Sequence, residues 1–269
     1  MSESALLAEA SDHILTVTIN RPAKKNAVNA EVLCGLSDAW HRLDEDDALR
    51  VAILTGAGGN FCAGMDLSVI SKLTSGAPPD DEFEERLKTE PAVIFDGWLK
   101  TYRPTKPVIA AVEGFALAGG TEVLQGTDIR VAGESAKFGV TEVQRALFPM
   151  AGSTVRLPRQ IPYTIAAEML LTGEPYSAAE CKAFGLIGRV VPDGQALATA
   201  RTIAERIAAN GPLAVRAILA SMRQSATLPE AEAFDKAEMP LGLPVFSSKD
   251  AREGPRAFLE KRPPVFTGK

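Results

Sequence analysis

The hydrophobic pattern of the chain switches between two periods and so predicts strands alternating with helices over its first half. Residues 14–20, ILTVTIN, alternate apolar and polar, which predicts a half-buried strand that opens the fold and is closed by Arg21-Pro22. From Asn29, a residue type that caps helices, Val32, Leu33, Leu36, Ala39, Trp40 and Leu43 recur at helical spacing until the acidic run Asp44 to Asp47. Val51 to Leu54 is a short β-branched run, hence a buried strand, followed by a glycine-rich turn and a loop into a helix at about residue 66. Proline, glycine and charge between 74 and 82 predict a mobile surface loop, then a helix from about 83 to 101.

Pro107 precedes VIAAV, a strand too apolar to face water, and Glu113-Gly114 turns it into FALAGGTEVLQG, where a helix starts. IRVAG at 129–133 and Lys137 to Val140 are extended, and residues 141–154 read as a glycine- and proline-broken connection where the sheet ends. Helical patterns follow at Thr164 to Leu171, Ser177 to Phe184, Leu197 to Ala208, Leu213 to Met222 and Lys249 to Glu260. The expected class is α/β with at least partly parallel pairing, a core over 1–200 and a helical C-terminal region over 201–269.

Composition narrows the function. A chain of 269 residues, 46% hydrophobic, buries a large core. With 29 basic and 34 acidic residues there is no global field to draw in DNA or an anionic membrane, so no nucleic acid and no membrane are expected as partners. The N-terminal residues lack a basic-then-apolar leader and no run reaches membrane-spanning length, so cytoplasmic residence is expected. Cys34, Cys62 and Cys181 form no CxxC pattern and read as reduced packing residues. The two histidines, His13 and His41, sit in polar segments, so neither a His-ligated metal nor a Ser-His pair is expected, and proton chemistry must use other groups.

Two segments place glycine in a small-residue turn after a buried strand: Cys62-Ala63-Gly64-Met65-Asp66 and Ala118-Gly119-Gly120-Thr121-Glu122. Each can expose a main-chain N–H, and two such turns brought together would hold a developing enolate oxygen; either alone also reads as an ordinary tight turn. Glu122 follows Gly119 by about one helical turn, in a stretch from 114 to 129 without lysine or arginine, and desolvation there would tune it for acid–base work. Glu142 follows at the end of the next extended piece. Spacing alone does not separate such a dyad from two ordinary acids among 34.

At these residues the chain resembles the enoyl-CoA hydratase/isomerase, or crotonase, family, from about 12 to 266. The ordered motifs are NRPAKKNAVN at 20–29, GNFCAGMDL at 59–67, KPVIAAVEGFALAGGTEV at 106–123, KFGVTEV at 137–143, PMAGSTVRLPR at 149–159, LLTGEPYSAAEC at 170–181 and FLEKRPPVF at 258–266. The run at 118–139 is most like actinobacterial members, some of them associated with bulky steroid side-chain thioesters. The resemblance implies a spiral of ββα units with a helical C-terminal trimerisation region, and a homotrimer or hexamer. It implies an acyl-CoA thioester substrate, with Met65 and Gly119 amides as the oxyanion hole and Ala63, Asp66 and Leu67 along the coenzyme A path. It assigns Glu122 to the water adding at C3 and Glu142 to the proton delivered at C2, with no cofactor beyond the coenzyme A of the substrate.

Lys24, Lys25 and Lys261 are candidates for the nucleotide phosphates, equally readable as solvated lysines. By resemblance, Phe258 and Lys261 reach a neighbouring subunit's ligand. Residues 72–82 and 145–150 are expected to shape the acyl pocket. Thr121 and Gln125-Gly126 depart from the family's usual small and aliphatic residues. The implied activity is enoyl-CoA hydration; the competing readings are a double-bond isomerase of the same fold and an idle acyl-CoA-binding paralogue.

Overall fold

The computed structural model describes residues 4–269. Its frame is a six-stranded sheet with strand order β1-β2-β3-β4-β6-β9 and a smaller sheet with order β5-β7-β8. The strands are β1 Leu6–Ser11, β2 Ile14–Ile19, β3 Val51–Gly56, β4 Val108–Val112, β5 Phe115–Leu117, β6 Ile129–Gly133, β7 Lys137–Gly139, β8 Tyr176–Ser177 and β9 Arg189–Val191. Only β1 runs antiparallel to its neighbour in the larger sheet; β2, β3, β4, β6 and β9 are parallel.

β1 precedes the strand expected to open the fold. Asp12 and His13 both take positive φ, 52° and 67°, which gives a two-residue turn whose twist matches the flanking strands. LLAEAS carried no clear alternation because β1 is an edge strand that ends exposed. β2 is also more buried than a half-buried strand. Leu15, Val17 and Ile19 enter the main core, while Ile14 joins Val51, Ile53, Ile109 and Ala111 on the other face. A parallel sheet covered on both faces needs such continuous apolar runs.

The helices are α1 Ala30–Glu45, α2 Leu67–Ser75, α3 Glu82–Thr89, α4 Ala92–Gly97, α5 Gly119–Leu124, α6 Ser153–Gln160, α7 Tyr163–Thr172, α8 Ala178–Ala183, α9 Ala196–Ala208, α10 Pro212–Ser225, α11 Glu230–Ala233, α12 Met239–Phe246 and α13 Lys249–Leu259. Asn29 caps α1 as its residue type suggests, its side chain accepting from the Val32 N–H at 3.1 Å. At the other end the buried Lys106 ammonium donates to the Leu43 and Asp46 carbonyls at 2.7 and 2.8 Å, where helix carbonyls lack partners.

Several expectations need correction. The helix expected over 83–101 is two helices, because Pro91 cannot continue α3. The surface loop expected from 74 begins one residue after Ser75, where α2 ends in a left-handed Gly76. The connection at 141–154 gives way to helix α6 at Ser153. The sheet does not end near 150: β8 pairs with β7 and β9 with β6, both too short to show a period. Helix α9 crosses the boundary expected between 200 and 201. Its stripe Ala196, Ala200, Ala204 and Ala208 lies against Ile53, Ile109 and Val131, so the helix belongs to the core, and small side chains let it approach the sheet. A π-helical turn at Phe234–Glu238, unsuspected from the sequence, joins α11 to α12. Among the described residues no helix is long and apolar enough to cross a membrane.

Candidate functional site

The two glycine turns meet. Parallel bridges pair Cys62 with Ala116 and Met65 with Val28, so the segment 62–66 is threaded between the ends of α1's approach and β5. Cys62 N–H donates to Phe115 O and Leu117 N–H to Cys62 O, each at 2.9 Å. Gly64, at φ 96°, is so close to the second turn that a Cβ there would lie 2.7 Å from Ala118 Cβ and 3.2 Å from the Gly119 nitrogen. Only glycine allows both that φ and that approach.

Ala118 takes φ 50° and ψ −126°, a conformation that costs a non-glycine residue about 1–3 kcal/mol. It is held there by its N–H to Gly139 O at 2.8 Å and by its carbonyl, which accepts from Thr121 and Glu122 N–H at 2.9 and 3.0 Å. The twist leaves Gly119 at the start of α5. Among the described residues the main-chain N–H groups of Met65 and Gly119 have no acceptor, and both residues line one cavity. Two unpaired amides facing an apolar space are what a developing oxyanion requires. Gly119 packs under the Trp98 indole, where an added Cβ would lie 2.7 Å from the ring.

The departures at Thr121 and Gln125 are built into this frame. Thr121 Oγ1 donates to Ala116 O at 2.5 Å and accepts the Gly139 N–H at 3.0 Å, tying β5 to β7. Gln125 donates to Ser153 Oγ at 2.7 Å, fixing α6 against α5.

Glu122, only 3% exposed, lies one turn into α5 and accepts the Ser153 N–H at 3.1 Å. Burial raises its pKa, opposed by the main-chain N–H groups of Ser153 and Ala151. Glu142 enters from the short 3-10 turn Glu142–Arg145 after β7. Burial first and the Glu122 charge second push its carboxyl up to about 8, so it holds its proton at neutral pH. Its Oε2 is buried without a hydrogen-bond partner. Glu122 and Glu142 line the same cavity as Met65 and Gly119.

That cavity has a volume of about 840 Å³. Lys24, Lys25, Ala63, Asp66 and Leu67 line it with the four residues above, so nine of the eleven expected site residues converge. Lys25 Nζ stands 4.9 Å from the Phe115 ring centre, a cation held over an aromatic face at the wall. Asp66 caps α2 and pairs with Arg21 at 3.1 Å. Burial works against its charge, but hydrogen bonds from Ser68 and Arg21 outweigh it and hold the carboxyl below its ordinary range. Phe258 and Lys261 lie outside this cavity, and Phe258 is 82% exposed. Among the described side chains of 72–82 only Thr74 reaches the wall, whereas Arg145, Leu147, Phe148 and Met150 all do.

Sequence reasoning missed the wall supplied by Ile94, Phe95 and Trp98 of α4 and the residue after it. The apolar run 92–95 and Trp98 were visible but were absorbed into one long predicted helix. It also missed Asn26, fully buried, whose amide accepts the Arg21 N–H at 2.9 Å and donates to Ala57 and Asn60 carbonyls at 2.8 and 2.6 Å. Those bonds pin the glycine-rich turn before Cys62. A lone asparagine between lysine and alanine gives no such signal.

Comparison with known proteins bears on the same residues. A family model described as enoyl-CoA hydratase/isomerase matches residues 9–269. Enoyl-CoA hydratase EchA19 of Mycobacterium tuberculosis is 57% identical over 260 residues, covering 97% of this chain and 95% of that protein. The (E)-benzylidenesuccinyl-CoA hydratase of Thauera aromatica is 36% identical over 261 residues, covering 97% and 98%. The crystal structure of enoyl-CoA hydratase EchA1 from Mycobacterium marinum superposes with a TM-score of 0.89 at 44% identity, covering 99% of this chain and 100% of that one.

Proposed function

The chain belongs to the enoyl-CoA hydratase/isomerase family, and on that premise we propose that it is an enoyl-CoA hydratase adding water across the trans-2 double bond of an enoyl-CoA thioester. The observation that carries this reading is the convergence in one cavity of two amides without acceptors among the described residues, the buried Glu122 and the half-buried Glu142. The amides of Met65 and Gly119 take the thioester oxygen and stabilise it as the acyl group becomes an enolate, an effect worth about 10² to 10³ in rate per donor.

Glu122, held by the Ser153 N–H, orients the water and takes one of its protons as the oxygen bonds to C3. Glu142, protonated at neutral pH, gives its proton to C2, and the proton taken by Glu122 restores the pair. One hydroxyl and one hydrogen are added in all. Hydration is redox-neutral and both proton transfers are assigned to carboxyls, so the reading calls for no redox cofactor and no metal.

Ala63, Asp66 and Leu67 line the way for coenzyme A, and Lys24 and Lys25 meet its phosphates. Phe258 and Lys261, outside their own chain's cavity, fit a trimer or hexamer in which each completes a neighbour's site. Three free, buried cysteines fit a reducing cytoplasm.

The test is loss of enoyl thioester absorbance with short, medium and steroid-type trans-2-enoyl-CoA substrates, with product identification. A 3-hydroxyacyl-CoA product supports hydration. A shifted double bond assigns isomerisation instead, and binding of all three substrates without turnover would make the protein an acyl-CoA-binding paralogue.

A further inference from the structure

The two glutamates share one cavity, but their surroundings differ. Glu122 is 3% exposed and Glu142 is half-buried, so burial by itself would leave the proton on Glu122. Hydrogen-bond donors act the other way. Glu122 accepts the Ser153 N–H at 3.1 Å, whereas Glu142 Oε2 is buried with no partner among the described residues. Burial raises the Glu122 pKa; the Ser153 and Ala151 N–H groups, Glu142 and the Ser153 hydroxyl each act against it. The charged groups that act on Glu122 are Glu142 and Arg156 of α6, while Arg145, Lys24, Lys25 and Asp66 line the same cavity.

Gln125 controls one of these donors. It lies at the end of α5, about one turn after Glu122, and is 1% exposed. Its Nε2 donates to the Thr121 carbonyl at 3.3 Å and to Ser153 Oγ at 2.7 Å. A carbonyl only accepts, so Thr121 fixes the amide with its NH2 end toward Ser153. Ser153 Oγ therefore accepts from Gln125 and keeps its own hydrogen to donate. The bond from the Ser153 N–H sets Glu122 beside that hydroxyl. The main-chain oxygen of Gln125 accepts from Gln160 Nε2 at 2.9 Å, so both ends of α6 are tied to this residue. Packing alone does not call for an amide here. Gln125 Oε1 is buried without a partner among the described residues, an orphan that a methionine of similar size would not create.

We propose that Gln125 is a positioning residue for the hydration, turning the Ser153 hydroxyl onto Glu122 and so selecting Glu122, not Glu142, as the ionised member of the pair. Its consequence for turnover rests on the hydratase reading; the relay from Gln125 through Ser153 to Glu122 does not. A carboxylate that accepts both the N–H and the O–H of one residue is fixed in charge and in direction, as a base that orients water must be.

The test is titration of Glu122 by 13C NMR of the full chain labelled at the glutamate carboxyls, in a Glu142→Gln background so that the titration belongs to one group. The Glu122 resonance is the one lost when Glu122→Gln is added. Gln125→Met and Ser153→Ala should each raise the Glu122 pKa by about half a unit or more. The two together should raise it no further than either alone, since both remove the same hydrogen bond. No rise in Ser153→Ala, no rise in Gln125→Met, or additive rises in the pair would each overturn the proposal. If Gln125→Met does not fold, Gln125→Leu is held to the same criterion, and Ser153→Ala remains decisive by itself. With Glu142 restored, the acid limb of kcat/KM for a trans-2-enoyl-CoA should move to higher pH in both single variants with KM little changed. A loss of packing alone would lower kcat without moving that limb, and a fixed limb would overturn the role in hydration. Raised NMR titrations in a protein that does not hydrate would refute the hydratase reading and leave the relay to Glu122 standing.

Discussion

Glu142→Gln should make the protein more stable at alkaline pH while making it a far poorer enzyme. The folded chain raises the Glu142 pKa from 4.5 to about 8, through burial first and the Glu122 charge second. A carboxyl with a raised pKa gives its full stability below its unfolded value and loses it as pH climbs through the folded value. Wild-type stability therefore drains away between about pH 4.5 and 8 on account of this group. At about 1.4 kcal/mol per pH unit the displacement corresponds to at most about 5 kcal/mol, and partial contact with the cavity's solvent brings the expectation to about 3–5 kcal/mol.

Glutamine imitates the protonated acid in shape and never ionises, so the variant avoids this loss. At pH 4.5 the two proteins should unfold alike; at pH 9 the variant should melt about 6–10 °C higher, at matched protein concentration so that any association is held fixed. Its kcat should fall about 10² to 10⁴-fold, the usual contribution of a general acid. Scanning calorimetry at pH 4.5, 7 and 9 with parallel enoyl thioester assays reads both effects. A stability difference that does not change with pH would refute the burial argument, and full activity would remove Glu142 from the chemistry.

Four further outcomes are expected. Glu122→Gln should lower kcat by about 10² to 10⁴ with little change in KM, since its role is toward water and not coenzyme A; near-normal kcat would exclude it. Wild-type kcat/KM should fall as pH rises through about 8, where Glu142 loses its proton, and a flat profile to pH 10 would contradict that assignment. Gly119→Ala should cost about 10² to 10³ in kcat, because a Cβ 2.7 Å from the Trp98 ring must displace the amide or the indole, with a shift in Trp fluorescence as a second readout. Asn26→Ala should destabilise by about 3 kcal/mol in urea unfolding, by leaving the Ala57 and Asn60 carbonyls without their buried donor.

The elements read from the sequence were those whose cause is local. Asn29 caps α1 because its own side chain reaches the Val32 N–H, and β4 is apolar throughout because both its faces are covered. The glycine turns at 64 and 119 and the glutamates at 122 and 142 were also visible, and the ordered motifs made them a resemblance. What failed was short or edge structure: β1, β8 and β9 owe their strand state to pairing with β2, β7 and β6, not to any period of their own. Only the tertiary structure decided that Gly64 and Ala118 touch, that Trp98 covers Gly119, and that Ser153, from a segment read as a broken connection, anchors Glu122. Those contacts join residues 31 or more positions apart or from unrelated elements, and their geometry is fixed by packing against a common core, for which local propensity carries no information. The raised pKa of Glu142 belongs to the same class: a glutamate in the sequence is an ordinary acid until burial and the Glu122 charge act on it together.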